Sequence, residues 1–110
     1  MTPAARVESL LAQTAARHPE APAVAYGETV LTYAELAAAA DRLSRRVEEA
    51  ADGERLEGAR VAVVAPNAPA LVIALFAIWR LGAVAVPLSA RLREHELTQI
   101  LRDAEPVVVL

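Results

Sequence analysis

Arg60-Val61-Ala62-Val63-Val64-Ala65, the stop Pro66-Asn67-Ala68-Pro69, the apolar segment ending Arg80-Leu81-Gly82, and the second run Ala83-Val84-Ala85-Val86-Pro87 together decide the fold. The first run is almost continuously apolar and rich in valine. That is the pattern of a strand covered on both faces in a parallel sheet, not the alternation of a strand with one wet face. Asn67 suits a helix cap, and Pro69 suits a first helical turn, where its missing N–H would have had no partner. The helix that follows carries Leu71, Val72, Ile73, Leu75, Phe76, Ile78 and Trp79 around its whole circumference, which predicts burial on several sides and Trp79 in the core. Gly82 supplies a left-handed stop, and the second strand, over residues 83–86, is expected to be cut by Pro87.

Downstream, a loop over residues 88–92 leads to a last helix with Leu97, Ile100, Leu101 and Ala104 on one stripe, and residues 107–110 read as a third buried strand. The class is therefore α/β: a parallel βαβαβ sheet whose connections should be right-handed and whose faces need covering by helices. The chain supplies few strands for such a sheet and ends inside the apolar run Val107-Val108-Val109-Leu110. We expect residues 1–110 to be one piece of a larger domain, without a complete second domain. We also expect an uncovered terminal strand to promote self-association or strand swapping.

Upstream, residues 3–17 place Val7, Leu10, Leu11 and Ala15 at helical spacing, with His18-Pro19 as the terminator. Residues 23–26 and 29–31 flank Gly27-Glu28, predicting a small antiparallel hairpin. Thr32-Tyr33-Ala34-Glu35 matches a capping box: the threonine oxygen accepts from an orphan helix amide while the glutamate reaches back to the cap. The long helix it opens has the stripe Leu36, Ala40, Leu43 and Val47, and residues 51–58 form the best loop candidate.

Composition narrows the function. The chain has 110 residues, 55% of them hydrophobic and 23% charged, with a formal net charge of −3, as expected of a soluble packed domain. That net negative charge gives no electrostatic footprint for nucleic acid, whose binding rests on clustered basic residues neutralising phosphates. The absence of cysteine removes disulfides, thiolate nucleophiles and the usual structural zinc sites. No signal peptide is evident, no apolar run reaches the roughly 20 residues that span a bilayer, and a cytoplasmic location is expected.

Three stretches together resemble the start of the AMP-forming superfamily that contains acyl-CoA synthetases, peptide-synthetase adenylation domains and luciferases. Leu31-Thr32-Tyr33-Ala34-Glu35-Leu36 resembles the first core motif of adenylation domains, Arg60 to Asn67 the strand and turn that follow, and Leu81 to Ser89 the second core motif. The likeness runs from about Val7 to Leu110. Ser89 departs from it, because CoA synthetases often carry asparagine and peptide-synthetase domains aspartate after the proline. Pro87-Leu88, the Pro66-Asn67 turn and the run from Arg91-Leu92 to Glu96-Leu97 look closer to the CoA-forming branch, acyl or aryl. The resemblance implies an N-terminal part of a larger adenylate-forming domain. The parent would use ATP and Mg to turn a carboxylic acid into acyl-AMP, then transfer the acyl group to CoA. Alternatives are an adenylation domain of a peptide synthetase or acyl-carrier-protein ligase, and a free-standing α/β binding or scaffolding module.

The chemistry of that reaction is missing from these residues. Phosphate cradling calls for a glycine-rich loop and a compact cation, yet the sequence has four scattered glycines and no lysine. No catalytic or metal-ligating residue is nominated, and neither nucleotide nor CoA is expected to bind the fragment well. Arg91 is the single cofactor-binding candidate: the matching loop position in CoA-forming relatives implies a contact with a CoA phosphate, suited to a guanidinium. A solvated loop arginine, or an ion pair with Glu94 or Glu96, is the alternative. Thr32 and Glu35 read as a cap, Trp79 as packing, Asn67 as a cap, His18 and His95 as helix-end residues, and Asp41, Asp103 and Glu20 as carboxylates on polar faces with no convergent pairing, so that no general acid or base is named.

Overall fold

The computed structural model of the chain describes residues 3–64, 69–89, 91–106 and 108–110, with the side chains of residues 3–8 set aside. Helix α1 (Pro3–Arg17) leads to the hairpin β1 (Pro22–Tyr26) and β2 (Thr29–Thr32), then to α2 (Tyr33–Ala51). The second half is β3 (Arg60–Val64), α3 (Pro69–Arg80), β4 (Val84–Leu88), α4 (Glu94–Ala104) and β5 (Val108–Val109). The α/β class, the parallel βαβαβ unit and the separate hairpin are as the sequence predicts. The sequence expectations of a stop and an Asn67 cap at residues 65–68 lie outside the described residues.

The hairpin is antiparallel, with Tyr26 opposite Thr29. Gly27 has φ +59° while Glu28 keeps a negative φ, the signature of a II′ turn that matches strand twist. Thr32 then caps α2: its hydroxyl accepts from Glu35 N at 3.1 Å, and Glu35 Oε1 accepts from Thr32 N at 2.9 Å. Two more first-turn amides donate to the α1–β1 connection, Tyr33 N to Ala21 O and Ala34 N to Pro19 O, each at 3.0 Å. The orphan donors of α2 thereby tie the N-terminal segment to the helix.

The parallel sheet has the order β4-β3-β5, with Val61 facing Ala85 on one side and Val108 on the other. Val61, Val63 and Val108 join Val47 and Ala51 of α2, Ala74 and Ile78 of α3, and Ala83 in one buried cluster. Strand pleating turns Ala62 to the opposite face, where it is fully buried. On that face Arg60 reaches α4, donating Nη1–H to Ala104 O at 2.9 Å.

Several sequence expectations need correction. Pro87 does not end β4. The strand continues to Leu88, with Pro87 paired opposite Val63, because β4 is an edge strand and a missing N–H can face away from the ladder. Helix α3 is not buried all round: Ala74, Ala77 and Ile78 are its buried residues, Ala70 is exposed, and the larger apolar side chains other than Ile78 are half-covered. Trp79 is among these, stacked edge-on against Phe76 with ring centroids 5.4 Å apart. In α1, Leu11 is buried but Leu10 is 60% exposed. The α2 stripe includes Ser44, which is buried and donates to Asp41 O at 2.7 Å, while Leu43 sits at the core margin.

Helix ends follow local chemistry. At Gly82, φ +71°, Ala83 N donates to Ile78 O and Gly82 N to Trp79 O, the two bonds of a Schellman motif. Helices α2 and α4 instead end on Asp52 and Glu105 in the left-handed region. In α4, Glu96 Oε1 accepts from Arg93 N at 3.3 Å. An arginine side chain has no acceptor to return that bond, so only half of a reciprocal cap forms.

Candidate functional site

Parallel sheets bind ligands beyond the carboxyl ends of their strands, at the point where strand order reverses. Here β3 is followed by β4 on one side and β5 on the other, so that point lies at the carboxyl end of the central strand. Val64 and Leu88 close the β3–β4 ladder there, and Leu110 O accepts from Val64 N at 3.2 Å. The chain leaves β4 through residues 89–92.

That exit is a built turn. Ser89 O accepts from Leu92 N at 3.2 Å, and Ser89 Oγ accepts from Arg91 N at 3.1 Å. A side-chain oxygen accepting from the amide two residues on is the bond an asparagine or aspartate makes in an Asx turn. Ser89 therefore replaces the asparagine or aspartate of the resembled motif with a residue able to make the same local bond. Arg91 is exposed at this turn, and among the described residues its guanidinium forms no ion pair with Glu94 or Glu96. The candidate contact is thus a free cation at the carboxyl edge of the sheet, held by a turn that fixes its backbone.

The remaining nominated residues stay in structural roles. Glu35 sits in its cap, where the Thr32 N–H, and after it the Thr32 hydroxyl, hold its carboxyl below its ordinary value. His18 and His95 are exposed at helix ends. No three His, Asp or Glu side chains converge among the described residues. Asp41 has a structural role beyond the sequence reading: it is a bridging group, 3.1 Å from Arg45 one turn along α2 and 3.0 Å from Arg80 at the end of α3. Asp103 accepts from Gln99 at 3.3 Å within α4. Sequence spacing announces the Asp41–Arg45 pair, but Arg80 enters only through the packing of α3 on α2. No helix among the described residues is long and apolar enough to cross a membrane.

A family model for AMP-binding enzymes matches residues 11–110, and the chain belongs to that family. Feruloyl-CoA synthase of an Amycolatopsis species is 45% identical over 96 residues, which are 84% of this chain and 18% of that protein. A linear gramicidin synthase of Brevibacillus parabrevis is 35% identical over 105 residues, 94% of this chain and 1% of that protein. Among solved structures, a fatty acyl CoA synthetase of Mycobacterium tuberculosis superposes with a TM-score of 0.82 at 30% identity, covering 94% of this chain and 20% of that one. The chain therefore spans a minor part of the length of these relatives.

Proposed function

We propose that this chain is the N-terminal portion of an ATP-dependent acyl- or aryl-CoA synthetase, which activates a carboxylic acid as acyl-AMP and passes the acyl group to CoA. The observation that carries this reading is the 45% identity to a feruloyl-CoA synthase over 84% of the chain, well above the 35% identity to the gramicidin synthase. The Ser89–Arg91 turn supports it, since it presents at the carboxyl edge of the sheet an exposed guanidinium, a group suited to a phosphate.

The residues present do not fit a triphosphate site. Four isolated glycines and no lysine leave neither a nest of converging amides nor a compact cation. Adenylation, with its ATP and Mg, is assigned to residues outside this chain. The contribution of residues 1–110 is scaffolding: β3, β4 and β5 start the sheet, and the turn after β4 orients Arg91. By itself the chain is inactive. The complete protein is cytoplasmic and acts without nucleic acid.

Thioester formation by the complete protein tests the proposal. With a panel of aromatic and fatty acids, Mg-ATP and either CoA or a phosphopantetheinylated carrier protein, we expect acyl-CoA as the product. Pyrophosphate release by the 110-residue chain alone, or transfer only to the carrier, would contradict it. Transfer to a carrier is the second reading, favoured by the likeness to the linear gramicidin synthase over 94% of this chain.

A further inference from the structure

A groove of about 340 Å³ runs between α2 and α3, lined by Ala39, Arg42, Leu43 and Arg46 from the first helix and Ala70 and Ile73 from the second. Its floor is apolar, with Leu43 and Ile73 half-buried, and one rim carries Arg42 and Arg46, both exposed. It shares no residue with the Ser89–Arg91 turn.

The two rim cations are uncompensated. Asp41 is engaged by Arg45 and Arg80, and among the described residues neither Arg42 nor Arg46 has an ion pair. One helical turn either side of Arg42 stand Ala38, Ala39, Arg45 and Arg46, with no carboxylate. Arg46 has Glu49 three residues on, and the two do not pair. Like charges at i, i+4 weaken a helix about as much as opposite charges support it. A chain of net charge −3 thus keeps two unpaired cations one turn apart beside an apolar cleft.

We propose that this groove is a docking surface for an acidic amphipathic helix of a partner protein. Its apolar side covers Leu43 and Ile73, and carboxylates one turn apart pair with Arg42 and Arg46. Charge complementarity selects the occupant: two cations at i, i+4 match carboxylates at the same spacing on a second helix, and an apolar stripe fits between facing helices. A small molecule fits poorly, because pockets for such ligands enclose most of their surface and hold it with converging polar groups. Here the polar groups stand on one rim only, and the α3 wall offers Ala70 and Ile73.

The test is fluorescence anisotropy of the complete protein with a labelled amphipathic peptide of about 18 residues, long enough to form a helix on docking, bearing leucines on one face and glutamates at i, i+4 beside them. A second peptide replaces the glutamates with lysines. We expect saturable binding of the acidic peptide, weakened about tenfold or more by Arg42→Glu with Arg46→Glu, and preference of that double variant for the lysine peptide. Both positions are exposed, so circular dichroism should stay unchanged, and Arg42→Glu alone should raise the thermal midpoint by setting a carboxylate one turn before Arg46. Equal affinity for the two peptides, no saturable binding, or no effect of the double variant overturns the proposal. Displacement of the acidic peptide by inorganic pyrophosphate does so as well, by marking a simple anion site.

Discussion

Ser89 and Arg91 work as a pair although only one of them is a candidate for binding. The hydroxyl of Ser89 holds the Arg91 amide at 3.1 Å, so the direction in which the guanidinium leaves the backbone depends on a neighbour two residues away. In the complete protein, Arg91→Ala should raise the KM for CoA while the rate of acyl-AMP formation stays unchanged; an unaltered KM for CoA would remove Arg91 from the site. The Thr32–Glu35 cap offers a second residue-scale prediction. Thr32→Ala should cost about 1 kcal/mol, read from urea unfolding at neutral pH. Glu35 has a depressed folded-state pKa, so its contribution is present above the ordinary glutamate value and fades as pH falls through the folded one. The stability gap between wild type and Glu35→Gln should narrow on acidification; a gap constant with pH would contradict this. The cap was legible in the sequence because all its atoms lie within four residues. Asp41 was not, since its second partner, Arg80, is set by how two helices cross, which neither helix's own pattern encodes.

Element boundaries divide along the same line. Gly82 announced the end of α3 because the left-handed turn is a local requirement, and a Cβ there would meet Glu57 only at 3.5 Å, an ordinary contact. The strain of Gly82→Ala is therefore conformational. It should cost about 1–2 kcal/mol, measured by denaturant unfolding, and a loss under half of that would mean the turn relaxes. The reach of β4 through Pro87 was not legible, because whether a proline interrupts a strand depends on which side is paired, and the order β4-β3-β5 emerges only from the whole sheet. The all-round apolar pattern of α3 misled for a related reason. It records every surface the helix is built to cover, and α1, α2 and the sheet cover only part of them.

At the scale of the molecule, apolar surface is again left open. The radius of gyration is 14.4 Å, against about 13 Å for a compact domain of this length, and no residue of α4 is buried. On the face of the sheet away from the main cluster, Val84 and Val109 are about half exposed, at 49% and 50%, on the two strands that flank β3. Apolar side chains beside open strand edges favour pairing with another chain. Sedimentation velocity over a range of concentrations should show self-association of the 110-residue chain. A strictly monomeric species would count against it.

The central position of β3 also sets a timetable for folding. It is the first of the three parallel strands to be synthesised, yet both its neighbours come later, and Val61 cannot meet Val108 until synthesis has passed residue 108. The hairpin and the Thr32–Glu35 cap close through nearby contacts and can form early on the ribosome, while β3 waits with both edges unpaired. Any slowing of synthesis between residues 64 and 108 would lengthen that wait, and with it the interval in which the strand can pair with the wrong chain.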